Sequence, residues 1–89
     1  MICEQTEIIN RLGLHARAAA SFVKVAGSFK SEIFLLCKDQ RVNGKSIMGI
    51  MMLAASQSTE IALEVDGTDE NEAITALLSL IENRFGEED

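Results

Sequence analysis

The hydrophobic pattern changes period several times along the chain, and each change marks an element. Residues 2–9, ICEQTEII, predict a half-polar strand that ends in the turn-like segment Asn10-Arg11-Leu12-Gly13. Over residues 16–26 the spacing becomes helical. Ala19, Phe22, Val23 and Ala26 stand at i, i+3, i+4 and i+7, and Gly27 is the expected stop. Residues 32–38, EIFLLCK, are an aliphatic and aromatic run that predicts a second strand. Asp39-Gln40 should turn it into a short third strand ending near Val42, before the turn pair Asn43-Gly44.

Ser46 stands before the compact apolar segment at 47–53 and suits the N-cap of a short helix, its hydroxyl accepting from a free backbone N–H. Residues 60–65, EIALEV, alternate cleanly and predict the fourth strand. Asp69 and Glu72 resemble a capping box for a last helix. That helix would place Ile74, Leu77, Leu78, Ile81 and Phe85 on one face and end at Gly86. The order is β-α-β-β-α-β-α. Its short connections favour an antiparallel or mixed sheet. The expected fold class is α+β: an open-faced β-sandwich in which three helices cover one face of a four-stranded antiparallel sheet.

Length and charge narrow the function. Residues 1–89 should form a single domain, since a second core would need far more chain. Eight Lys and Arg against fourteen Asp and Glu give a net charge of -6, which argues against a nucleic-acid partner. The basic residues are nevertheless uneven, because only Arg84 falls after residue 46. The first half can therefore face an acidic protein. No run approaches the ~20 apolar residues that span a bilayer. The start, Met1-Ile2-Cys3-Glu4, lacks a basic flank and apolar stretch, so the expectation is a cytoplasmic protein without membrane insertion. Cys3 and Cys37 lack metal or redox spacing and are expected to be buried free thiols. No metal or cofactor is expected.

A lone histidine in a small protein is usually a packing or surface residue. His15 differs because it sits between a glycine-containing loop and a helix start. The first backbone N–H groups there, those of Ala16, Arg17 and Ala18, lack helical acceptors. The helix dipole adds partial positive charge, and Arg17 adds a full one at a position where a cation opposes that dipole. These are the parts of a phosphate site. A neutral imidazole nitrogen can attack a phosphoryl donor while the N–H groups and Arg17 stabilise the transferred oxygens.

With those residues in place, the segment Asn10-Arg11-Leu12-Gly13-Leu14-His15-Ala16-Arg17 strongly resembles the active-site signature of the HPr family. These are histidine-containing phosphocarriers of the bacterial phosphoenolpyruvate–sugar phosphotransferase system (PTS). The segment Asn43-Gly44-Lys45-Ser46-Ile47-Met48-Gly49-Ile50-Met51 resembles the family's second signature, and the likeness covers essentially the whole chain. It implies a carrier rather than an enzyme. His15 would be phosphorylated on Nδ1 by phospho-enzyme I and would donate to enzyme IIA domains, with Arg17 interacting with the phosphoryl group. The protein is expected to act as a monomer. Ala18 departs from the proline that many members carry after the arginine. Alanine preserves the helix start.

The segment 47–53 has too many apolar residues for one buried stripe. Ile50 and Leu53 are expected in the core, and Ile47, Met48 and Met51 on a docking patch whose thioethers adapt to several partners. Ser46 is also a candidate for regulatory phosphorylation, for which the resemblance implies an HPr kinase/phosphorylase. An alternative reading is a regulatory HPr-like module, linked to nitrogen or carbon control, without a role in sugar uptake. Regulators of that kind have lost the active histidine, which this chain keeps.

Overall fold

Alternation along each strand decides which face of the sheet is covered. In the computed structural model, which describes residues 1–87, the elements are β1 (Ile2–Glu7), α1 (Ala16–Gly27), β2 (Glu32–Cys37), β3 (Gln40–Asn43), α2 (Ile47–Met52), β4 (Glu60–Asp66) and α3 (Glu70–Glu82). A single 3-10 turn over Arg84–Gly86 follows. The strands form one antiparallel sheet in the order β1-β4-β2-β3. Leu35 of β2 stands opposite Leu63 of β4, and Ile33 opposite Val65, so the apolar sides of the two central strands share a face. Three helices cover that face: this is the α+β open-faced sandwich that the pattern predicts.

The core is built where three apolar stripes meet. Ala18, Ala19, Phe22 and Ala26 of α1 are buried, with Ala73, Ile74, Leu77 and Ile81 of α3 and Ile50 of α2. Val23 and Leu78 lie at the margin and are half-buried. Phe22 is fully enclosed, and truncation of such a side chain typically costs about 3–5 kcal/mol.

Several boundaries differ from the sequence pattern for identifiable reasons. β1 stops at Glu7, because Ile8 leaves the ladder and pairs its backbone with the 58–59 loop. Its N–H donates to the Thr59 carbonyl at 2.9 Å. Gly27 does not stop α1 but lies within it, and Ser28 caps the helix in the right-handed region. Asp69 precedes α3 but makes no capping bond. Its carboxylate instead accepts from the backbone N–H groups of Lys30 and Ser31, at 2.8 and 3.0 Å, and from the Ser31 hydroxyl. The acidic residue that reaches back is Glu70, accepting from the Gly67 N–H at 3.1 Å. Phe85 is buried but is not on α3, because the helix ends at Glu82. Cys37 is buried, whereas Cys3 is exposed: it pairs across from Glu64, on the side of the sheet that the helices leave open. Among the described residues, no helix is long and apolar enough to cross a membrane.

Candidate functional site

The loop before α1 is tied down by its backbone. Asn10 accepts from the Gly13 N–H at 3.2 Å, and Leu14 donates to the Ala55 carbonyl at 2.9 Å. Gly13 has φ +68°, and a Cβ there would lie 2.5 Å from the Ala55 oxygen. Glycine is required by both the conformation and the close approach. Leu14 is buried, which plugs the loop onto the core and presents the next residue, His15, at the surface.

His15 is the N-cap of α1, with extended backbone (φ -77°, ψ 179°). Its carbonyl takes the first helical bond, from the Ala19 N–H at 2.9 Å. The N–H groups of Ala16, Arg17 and Ala18 precede that bond and have no helical acceptor. Ala16 and Arg17 are exposed, whereas the Ala18 side chain is fully buried. Ala18 can therefore serve the site only through its backbone. Its methyl group belongs to the core.

The histidine ring does not cap its own helix. Its Nε2 is hydrogen-bonded instead to Oε2 of Glu87, and the side chain keeps 27% of its exposure. Glu87 is held from the other side by Asn10, whose Nδ2 donates to Oε1 at 2.9 Å and to the Gly13 carbonyl at 2.8 Å. Asn10 is completely buried, and its Oδ1 has no partner among the described residues. Burial pushes the Glu87 carboxyl up. Hydrogen bonds from Asn10 and His15, with the charge of Arg17, outweigh it, and the carboxyl sits below the ordinary glutamate value. Asn10 and Glu87 are the site residues that sequence reasoning missed. Asn10 lies in the recognised signature but reads as a turn residue, and Glu87 reads as part of an acidic tail; neither carries a local signal.

The second motif forms a separate neighbourhood on α2, which packs against α1. The Ser46 hydroxyl accepts from the Gly49 N–H at 3.1 Å and is the expected N-cap. Ile50 and Leu53 are in the core. Ile47 and Met51 are 41% and 44% exposed, Met48 is 74% exposed, and Met52 adds further apolar surface. Ser46 makes no hydrogen bond to the His15 cluster among the described residues. Nor do those residues contain a group of three or more His, Cys, Asp and Glu side chains able to hold a metal.

The chain matches known proteins in sequence and in fold. The family model described as "PTS HPr component phosphorylation site" matches residues 2–83. The phosphocarrier protein HPr of Neisseria meningitidis serogroup A is 58% identical over 87 residues, covering 98% of each chain. That of Cupriavidus necator is 53% identical over 87 residues, with 98% of each chain covered. Among solved structures, HPr-C-His from Thermoanaerobacter tengcongensis superposes with a TM-score of 0.96 at 50% identity, covering 100% of both chains. The catabolite repression protein Crh of Bacillus subtilis gives 0.76 at 42% identity, covering 94% of this chain and 97% of Crh.

Proposed function

This chain belongs to the HPr family of phosphocarrier proteins, and from that premise we propose that His15 accepts a phosphoryl group from phospho-enzyme I and passes it to enzyme IIA domains. The observation that carries the reading is the placement of His15 as N-cap of α1, beside N–H groups without helical acceptors and two residues before Arg17. Nδ1 attacks phosphorus. The Ala16, Arg17 and Ala18 N–H groups, the helix dipole and the Arg17 guanidinium stabilise the transferred oxygens. A phosphoramidate is labile, so the group moves on to the next acceptor.

Ile47, Met48 and Met51 form the docking patch for both partners, and the exposed thioethers suit surfaces of different shape. Ser46 is the regulatory position. A phosphate there adds roughly -1.5 to -2 charges beside the patch, at a helix start that tolerates them. An HPr kinase/phosphorylase would supply that group. The protein acts in the cytoplasm as a monomeric single domain. Likeness to Crh favours a second reading, a regulatory module, and the presence of His15 weighs against it.

The test is incubation with phosphoenolpyruvate and enzyme I from the same source. The carrier reading expects one acid-labile phosphate per chain, absent in His15→Ala. No label on His15, under conditions that label a known carrier, would refute it.

A further inference from the structure

The geometry points to Glu87 as a positioning residue that selects Nδ1 of His15 as the nucleophile by holding the ring proton on Nε2. The inference rests on the carrier reading above and goes beyond it to a residue near the end of the chain. An ionised carboxylate only accepts hydrogen bonds, so the contact between Glu87 Oε2 and Nε2 requires a proton on Nε2. A neutral imidazole has one N–H. Once it is on Nε2, Nδ1 carries the free electron pair.

The carboxylate is a built feature rather than a tail resting on the surface. Its second oxygen is held by Asn10, a fully buried amide whose other N–H is spent on the Gly13 carbonyl of the His15 loop. The chain is brought there by a turn that L side chains rarely adopt. Arg84, Phe85 and Gly86 have φ of +55°, +56° and +82°, and the buried Phe85 ring pins the turn to the core. The Glu87 N–H closes the turn on the Arg84 carbonyl at 2.9 Å.

This arrangement fits both halves of the relay. The Nδ1 pair forms a bond to phosphorus while the bond from phosphorus to the donor's leaving atom breaks, its electron pair departing with the donor. No proton leaves His15. The ring, still protonated on Nε2, becomes an imidazolium whose positive charge faces the Glu87 carboxylate. Onward transfer returns the pair to Nδ1 and restores the neutral Nε2–H ring. One carboxylate therefore serves acceptance and donation, as a metal-ligating or catalytic histidine is served by the group on its other nitrogen.

The test combines ¹⁵N NMR of the neutral His15 ring with the labelling rate, in wild type, Glu87→Ala and Glu87→Gln. Thermal unfolding checks that each variant is folded. Wild type should show an N–H-type signal from Nε2 and a lone-pair signal from Nδ1. In Glu87→Ala the two signals should move toward each other, and labelling by enzyme I should slow about 3- to 10-fold, the worth of one partly exposed charge-assisted hydrogen bond. Glu87→Gln, whose amide oxygen still accepts from Nε2, should restore the ring signals and recover the rate in part. A wild type that is labelled normally while Glu87→Ala matches it in ring signals or in rate overturns this inference alone. A wild type that takes no phosphate on His15 overturns the carrier reading, and this inference with it.

Discussion

Gly13 precedes the first helix and Gly27 is its last residue, and replacing each by alanine should change stability in opposite directions. At Gly13, alanine must adopt φ near +68°, a left-handed conformation that costs an L residue roughly 1–2 kcal/mol. Its Cβ would also lie 2.5 Å from the Ala55 oxygen and 2.8 Å from the Ser56 Cα, both backbone atoms that no rotamer change can clear. The segment must retreat, and the same Ala55 oxygen accepts from the Leu14 N–H at 2.9 Å. Weakening that bond adds about 0.5–1.5 kcal/mol. The sum is about 1.5–3.5 kcal/mol, which in a domain of this size lowers Tm by about 6–28 °C. At Gly27 an added Cβ meets nothing within 4 Å, and the residue is already helical. Alanine there should stabilise by about 0.5–1 kcal/mol, less if the helix end frays. Circular dichroism melts and urea titrations with unchanged m-values measure both effects. A loss below about 1 kcal/mol for Gly13→Ala, or any loss for Gly27→Ala, would refute this reasoning. Because Gly13 sets the loop that presents His15, its alanine variant should also label more slowly, and the Gly27 variant should not.

Other expectations can be checked alongside. Ser46→Ala removes the hydroxyl that accepts from the Gly49 N–H and should cost about 1 kcal/mol in urea unfolding, whereas Ser46→Asp should keep the cap and slow phosphoryl transfer. Met48→Glu should weaken enzyme I binding in a titration while leaving Tm within a few degrees, because the side chain is 74% exposed. The Ser31 hydroxyl and the Lys30 and Ser31 N–H groups hold the Asp69 carboxyl below its ordinary value of 3.8, against a smaller opposing push from desolvation. A depressed folded value means stability that is fully present above the ordinary value and is lost as pH falls through the folded one. Unfolding midpoints measured from pH 5 downward should therefore decline less steeply in Asp69→Asn than in wild type.

Periodicity made most of this fold legible because the information is local. An alternating run such as residues 60–65 can bury only one side, and the stripe of Ala19, Phe22 and Ala26 can face only one way. Ser46 was legible for the same reason, since a cap acts within three residues. Boundaries were less so where long-range pairing overrode local propensity. Gly27 looks like a stop, yet nothing in the right-handed Ser28 cap requires glycine. Asp69 looks like a cap, but backbone donors from residues 30 and 31 claim it.

The site divides along the same line. His15, Arg17 and the small residues around them lie within one loop–helix junction, so chain order alone brings imidazole, N–H groups and guanidinium together. The partners of His15 came from elsewhere. Glu87 stands 72 residues away, and it arrives only because Phe85 is buried and three left-handed residues turn the chain back. Local sequence determined what kind of group would react and where along the chain. Tertiary packing decided which of its two nitrogens is engaged, because a ring's hydrogen-bond partner is a matter of contact, and contact between distant residues is made only by the folded core.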